Sequence, residues 1–356
     1  MPKDPIAPET GAVFHRRPTA AYYVIPSVAV LFVAVLLSAC GGSGGGREDT
    51  STPRPSSTAT PSPQYSAAPT HAELPLRVVV TLSVFADFVR EMAGDHAELF
   101  TLLPPGADPL TYEPTPSDIE KIAAADIIFV NDTKPGVEGS ILDVIESNKG
   151  ENTKVIPFMP NVRSPRAGEL GNPDITAAEA GDNPHLWLDP VTARVYANIV
   201  SDTFIIEDGI NASFYNGNLT DYGKRLFQLR VDFTATVDKI PPDDRQLVTA
   251  HDVFVHMARS FGLEIVGFVA GSPGQTPSQR EVADLTKEIE QRHVPAVFGE
   301  PQIGQATSVL EQIAADTNAK LCTLYSDAAG DPATTYIDMM RFDASELLRC
   351  LGGGGG

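Results

Sequence analysis

Eight short apolar runs, set four and four on either side of a long proline-free stretch, constrain this chain more than any other feature of its 356 residues. The first set is Arg77 to Thr81, Glu98 to Leu102, Asp126 to Val130 and Lys154 to Phe158. The second is Gln246 to Ala250, Glu264 to Val269, Ala296 to Gly299 and Lys320 to Tyr325. Near-continuous apolar runs of this length, separated by amphipathic segments, are the pattern of buried parallel strands alternating with helices. Val84, Phe85, Phe88, Val89 and Met92 line one helical face after the first run, and Ile119, Ile122 and Ala123 line another. The fold expected is α/β, with two doubly wound parallel-sheet lobes. Between them Leu219, Tyr222, Leu226, Leu229, Phe233 and Val237 recur every three or four residues, and no proline intervenes from Asn211 to Ile240. That predicts a helix of about 25 residues, ~35 Å long, joining the lobes as a rigid strut; an ordinary surface helix inside one lobe is the alternative. The domains follow as an N-terminal lobe over 76–210, a linking helix over 211–240 and a C-terminal lobe over 241–351.

The residues before the first strand address the chain to a membrane. Residues 20–39, AAYYVIPSVAVLFVAVLLSA, are apolar, and Arg16 and Arg17 precede them as the basic flank of an export signal. The length would also suit a single transmembrane helix. The ending Leu37-Ser38-Ala39-Cys40, followed by Gly41-Gly42, resembles a bacterial lipobox, in which the cysteine is lipid-modified and becomes the mature N-terminus. Residues 1–40 therefore read as a lipoprotein signal peptide with Cys40 as the lipidation site, and the location as the extracytoplasmic face of a bacterial cell membrane. Residues 41–75 are Gly, Ser, Thr and Pro with almost no large apolar side chain, a composition that cannot offset the entropy of ordering. They read as a disordered tether spanning roughly 30 Å r.m.s., with His71 simply solvated.

The balance of 26 Lys+Arg against 46 Asp+Glu, −20 in all, repels nucleic-acid backbones and concentrates cations. Three cysteines lack the paired spacing of a structural zinc site. Once Cys40 is lipidated, Cys322 and Cys350 remain as an even pair in an oxidising setting. They read either as a disulfide or as two separately buried thiols.

Ligands of open parallel sheets bind beyond the carboxyl ends of the strands. His251, Glu300 and Asp327 each follow an apolar run of the second half. His185 lies in the proline-pinned segment Asn183-Pro184-His185-Leu186-Trp187-Leu188-Asp189-Pro190 of the first. Two imidazoles and a carboxylate converging across a cleft suit zinc or another first-row divalent ion. Taken singly, a histidine after a strand more often packs or caps a helix, and Trp187 reads as packing. His256 follows His251 by five residues, about 140° round if both are helical, which forbids joint chelation. His15, His96 and His293 carry no assignment.

Several motifs then agree in order: Gly106-Ala107-Asp108-Pro109-Leu110-Thr111-Tyr112-Glu113-Pro114, Ala125-Asp126-Ile127-Ile128-Phe129, Asn183 to Pro190, Thr249-Ala250-His251-Asp252-Val253-Phe254, Val297-Phe298-Gly299-Glu300-Pro301 and Thr335-Tyr336-Ile337-Asp338-Met339-Met340. Together, over about residues 76 to 350, they resemble the zinc/manganese solute-binding lipoproteins of metal ABC importers, also described as periplasmic solute-binding protein family 9. The resemblance implies two α/β lobes joined by a long helix, with one metal between them held by the counterparts of Leu110, His185, His251 and Asp327. Leucine stands where that pattern has histidine. The resemblance thus leaves a three-coordinate site completed by water, a substitute oxygen from Glu113 or Glu300, or weakened metal binding. Histidine at 251 favours zinc over manganese, and residues 159–184 lack the His-rich loop of many zinc members. The implied function is a monomeric, non-enzymatic metal carrier that delivers to a membrane permease and its ATPase. The alternatives are a metal-independent adhesion or partner-binding lipoprotein and, more remotely, a zinc hydrolase with Glu300 as base. No H-E-x-x-H motif supports the last.

Overall fold

The computed structural model describes residues 75–104, 107, 112–133, 138–162, 183–271, 275–301, 303–327 and 333–353. The signal segment with Cys40, most of the tether, His15, His71 and Leu110 lie outside them.

Strands β1 (Leu76–Val80), β2 (Ala97–Thr101), β3 (Ile127–Val130) and β4 (Lys154–Pro157) form one sheet in the order β2-β1-β3-β4, all parallel. Strands β5 (Gln246–His251), β6 (Glu264–Ala270), β7 (Ala296–Gly299) and β8 (Lys320–Thr323) repeat the arrangement as β6-β5-β7-β8. Central strands β3 and β7 are buried along their whole length. Helices cover both faces of such strands, which is why their sequences, Ile-Ile-Phe-Val and Ala-Val-Phe-Gly, do not alternate. In each sheet the chain leaves the first strand one way and returns past it. Crevices therefore open beyond the carboxyl ends of β1 and β3 and of β5 and β7.

The helices are α1 (Ser83–Ala93), α2 (Pro116–Ala124), α3 (Ile141–Asn148), α4 (Phe158–Val162), α5 (Pro190–Glu207), α6 (Ala212–Val237), α7 (Val255–Phe261), α8 (Gln279–Arg292), α9 (Gly304–Thr317) and α10 (Tyr336–Leu351). None is long and apolar enough, among the described residues, to cross a membrane. The proline-free stretch holds α6, which ends three residues before Ile240 in a turn closed by the Ile240 amide on the Val237 carbonyl. Its buried stripe of Tyr222, Leu226, Leu229, Phe233 and Val237 packs against α5 and α1 of the first lobe, and against α7 and α10. Phe233 stacks on Phe261 of α7. This helix is a shared spine rather than a surface element of one lobe.

Chain order assigns α10 to the second lobe, but its start lies in the first. The Tyr336 amide donates to Asp87 Oδ2 at 3.0 Å, and the Tyr336 hydroxyl to the Trp187 carbonyl at 2.8 Å. The Tyr336 ring stands 5.3 Å from Phe88. At its far end Cys350 is disulfide-bonded to Cys322 of β8, with Cα atoms 6.7 Å apart. One apolar core consequently runs through both sheets, taking in Val79, Phe85, Tyr222, Leu247, Phe298 and Leu347. A smaller cluster between the second sheet and helices α8 and α9 completes that lobe.

Candidate metal centre

His251 is the last residue of β5 and Glu300 the first after β7, so the two flank the crevice of the second sheet. His251 Nδ1 meets Glu300 Oε1 at 2.7 Å, and both side chains are buried. With Nδ1–H donating to the carboxylate, Nε2 keeps its lone pair. Glu300 is fixed in turn by α9: the Glu300 amide and carbonyl both bond Thr307 Oγ1, at 3.2 and 3.1 Å. Glycine at 299 permits that approach, since a Cβ there would lie 2.7 Å from Thr307 Cγ2.

His185 enters from the other side. Its loop is tied to the first sheet by Asn131 Nδ2, which donates to the Pro184 carbonyl at 2.9 Å. Asn183 Oδ1 accepts from the His185 amide at 3.1 Å and stands 2.9 Å from His185 Nδ1, again leaving Nε2 as the outward lone pair. Asn183 also crosses the cleft. Its Nδ2 donates to the Asp252 carbonyl at 2.8 Å, and its own carbonyl accepts from His256 Nε2 at 3.1 Å. The centroids of the His185 and His251 rings are 5.4 Å apart and the planes 78° from parallel. Burial, reinforced by the nearby imidazoles of His251 and His256, holds the His185 pKa well below its ordinary value. A neutral ring is the form that can bind a metal.

Asp327 follows β8 and reaches the first lobe. Its Oδ1 accepts from Ser83 Oγ at 3.0 Å and from the Val84 amide at 2.9 Å, in the first turn of α1, where unpaired amides favour a carboxylate. The adjacent Ser326 carbonyl accepts from the Trp187 indole at 2.7 Å. Trp187, read from sequence as packing, is buried and also fixes the loop that carries Asp327.

Of the residues singled out in the sequence, the structure thus brings His185, His251 and Glu300 together and sets Asp327 on the opposing helix terminus. Glu113 is exposed just before α2. His256 is helical but His251 is not, so the angular argument separating them does not apply; His256 is instead engaged with Asn183. His96 bonds Tyr215, and His293 caps α8 in the left-handed conformation. Among the described residues, the trio whose donor atoms all lie within 4.8 Å of one another is Cys322, Glu346 and Cys350, and the disulfide consumes both thiols. The cleft histidines and Asp327 are not drawn in that far.

Residues 78–350 match the family described as zinc-uptake complex component A, periplasmic. The metal ABC transporter substrate-binding lipoprotein FimA of Streptococcus parasanguinis is 28% identical over 288 residues, covering 78% of this chain and 89% of the relative. The manganese ABC transporter substrate-binding lipoprotein PsaA of Streptococcus pneumoniae is 27% identical with the same coverage. Among solved structures, the periplasmic zinc-binding protein TroA of Treponema pallidum superposes with a TM-score of 0.67 at 25% identity, covering 78% of this chain and 99% of its own. A manganese-bound periplasmic metal-binding protein of Candidatus Liberibacter asiaticus shares the fold, with a TM-score of 0.64 at 23% identity over 77% of this chain and 98% of its own. Such proteins are solute-binding components of transporters and not enzymes. The order of the two parallel sheets, the buried histidines at their carboxyl edges and a family match spanning both lobes lead to one conclusion: the chain belongs to the zinc-uptake component A family of periplasmic solute-binding proteins.

Proposed function

We propose that the chain is a lipid-anchored, extracytoplasmic carrier that takes up a divalent metal ion, zinc in preference to manganese, and passes it to the permease and ATPase of an ABC importer. The observation that carries this reading is the shared preparation of two imidazoles. His185 and His251 each have Nδ1 opposite a fixed acceptor, partly buried Asn183 Oδ1 or buried Glu300 Oε1, which turns Nε2 outward as a ligand. Asp327 supplies the carboxylate. Two nitrogens and one oxygen suit zinc better than manganese, which prefers oxygen. The ion is cargo here, so the site has to release it. Water or a further oxygen completes the coordination that leucine at 110 does not supply. Glu300, with Oε1 committed to His251, acts in this reading as the orienting partner of that ring rather than as a ligand or a base. Lipidation at Cys40 accords with the lipoprotein names of the relatives.

The test is competitive titration of the purified protein with zinc and manganese against a chromogenic chelator. Zinc should displace manganese, and His185→Ala or His251→Ala should abolish binding. If neither the wild type nor Leu110→His binds either ion, the metal reading fails and the adhesion or partner-binding alternative replaces it.

A further inference from the structure

The first lobe has a second edge, opposite the cleft, where its strands begin. Leu76 opens β1, His96 stands just before β2 and Lys154 opens β4. All three adjoin the corner at which α5 turns into α6. Lys154 pairs with Glu207, and the two line one cavity together with Leu76 and Arg77. The His96 ring stacks on Phe214 with centroids 4.7 Å apart. The corner is braced from within. Buried Asp208 accepts from the Tyr215 hydroxyl, and from the Asn211 side-chain Nδ2 at 2.7 Å, while His96 Nδ1 meets the same hydroxyl at 2.8 Å. Yet this fixed turn carries Ile206 at 75% exposure, Ile210 at 87% and Phe214 at 43%. Polar bonds hold large apolar side chains out in water, where they add little to the core.

We propose that this corner is a bilayer contact: Ile206, Ile210 and Phe214 enter the lipid surface to which the chain is tethered, with the metal cleft turned away from it. The inference rests on Cys40 as the lipid anchor. Residues 41–75 number 35, and they lead to Leu76 on the same edge as the corner. A coil of that length spans roughly 30 Å r.m.s., which keeps the corner within about one lobe's width of the headgroups. Tethering then replaces bulk dilution by an effective concentration of the order of millimolar. Each isoleucine that leaves water multiplies partitioning by roughly tenfold or more, so a weak intrinsic affinity is enough. With a net charge of −20 the chain gains nothing from anionic lipid, and the contact is apolar. In this pose the carboxyl edge of the first sheet, with His185 and the Asp327 cradle, faces the compartment from which metal arrives. Delivery to a permease requires the lobe to lift off and turn over. The tether, up to ~120 Å when extended, allows that, and a weak contact releases readily.

The experiment uses the full-length lipoprotein in phosphatidylcholine vesicles with one nitroxide, attached at Ile210→Cys or, as control, at Asp284→Cys on α8. The native cysteines are occupied by lipid and by the disulfide. Collision with oxygen, which concentrates in lipid, is compared with collision with a water-soluble nickel chelate. The label at 210 should gain oxygen and lose nickel accessibility relative to 284. Adding Ile206→Ser and Phe214→Ser should cut the membrane-inserted fraction at least fivefold while leaving zinc titration unchanged. A label at 210 as open to nickel as that at 284 overturns the proposal. So does one shielded from both reagents, which would put protein over the corner. Failure of the protein to float with the vesicles refutes the anchor itself, and with it the contact. Zinc binding measured in parallel separates either result from a failure of the metal reading.

Discussion

Glu300→Ala separates the roles that the cleft geometry assigns. Glu300 is 1% exposed and its Oε1 lies 2.7 Å from His251 Nδ1. The carboxylate fixes the tautomer and orientation that present Nε2. Loss of such a partner costs roughly 10- to 100-fold in metal affinity, equivalent to about 1.4 to 2.7 kcal/mol. It also strands a buried imidazole N–H, at a cost of about 1–3 kcal/mol to folding. Glu300→Gln keeps an oxygen acceptor at the same reach, so the tautomer survives and its affinity should stay within about tenfold of wild type. Chelator competition gives the affinity, and thermal unfolding of the metal-free protein gives the stability. If the alanine variant loses stability but keeps full affinity, Glu300 only packs. If alanine and glutamine variants are both as inactive as His251→Ala, Glu300 is itself a ligand and the proposed division of roles is wrong.

Three other outcomes are expected. Leu110→His should tighten zinc binding by about one to two orders of magnitude by restoring an imidazole; unchanged affinity in an already tight wild type would mean another group fills that position. Opening the Cys322–Cys350 bridge, whose cysteines are 28 residues apart, should lower unfolding stability by about 3 to 4 kcal/mol, read in denaturant as Cys350→Ala against wild type. The third concerns Glu138, which burial pushes up to about 7 despite hydrogen bonds from the Asn131 amide and the Thr81 hydroxyl. Because the folded value is raised, the Glu138 contribution to stability is complete below pH ~4.5 and lost as the pH rises through 7, a change of up to about 3 kcal/mol. Glu138→Gln should flatten that decline; an equal slope in both proteins would assign it to other groups, such as Asp87, raised by burial to about 6.

The fold was legible because parallel strands covered on both faces have to be apolar throughout. Every run read from the sequence holds a strand, within a few residues at each end. The helix α5 was not singled out. Twelve of its 18 residues are buried, spread around its circumference, so it has no polar face to give a period. The strand-end rule selected His251, Glu300 and Asp327. It could not show that Glu300 stands behind His251 or that Asp327 docks on α1, because these are contacts across the fold; Ser83 and Asp327 are 244 residues apart. Ser83 sits just beyond the carboxyl end of β1 and could have been found by the same rule. Asn183 had no such mark, since its work across the cleft is done by two bonds, to the Asp252 carbonyl and to His256 Nε2, that only tertiary structure brings near.

Those contacts also limit how the cleft can open. Phe85, Phe88, Trp187 and Tyr336 interlock at the junction of the lobes, all fully buried. Aromatic side chains bury roughly 150–250 Å² each. At about 25 cal/mol per Å², exposing all four would cost on the order of 20 kcal/mol, more than the 5–15 kcal/mol that typically separates folded from unfolded protein. Opening motions of the cleft therefore leave this cluster packed. What can move at low cost is the polar rim: the Asp327 carboxylate on the Ser83 hydroxyl and Val84 amide, and Asn183 on Asp252 and His256. Each of these bonds is worth about 1 kcal/mol net, or up to about 3 where a charge takes part. Affinity in the metal reading is thus set by loops that shift over a rigid aromatic floor, and release needs only that the Asp327 loop and the Asn183 crossing let go.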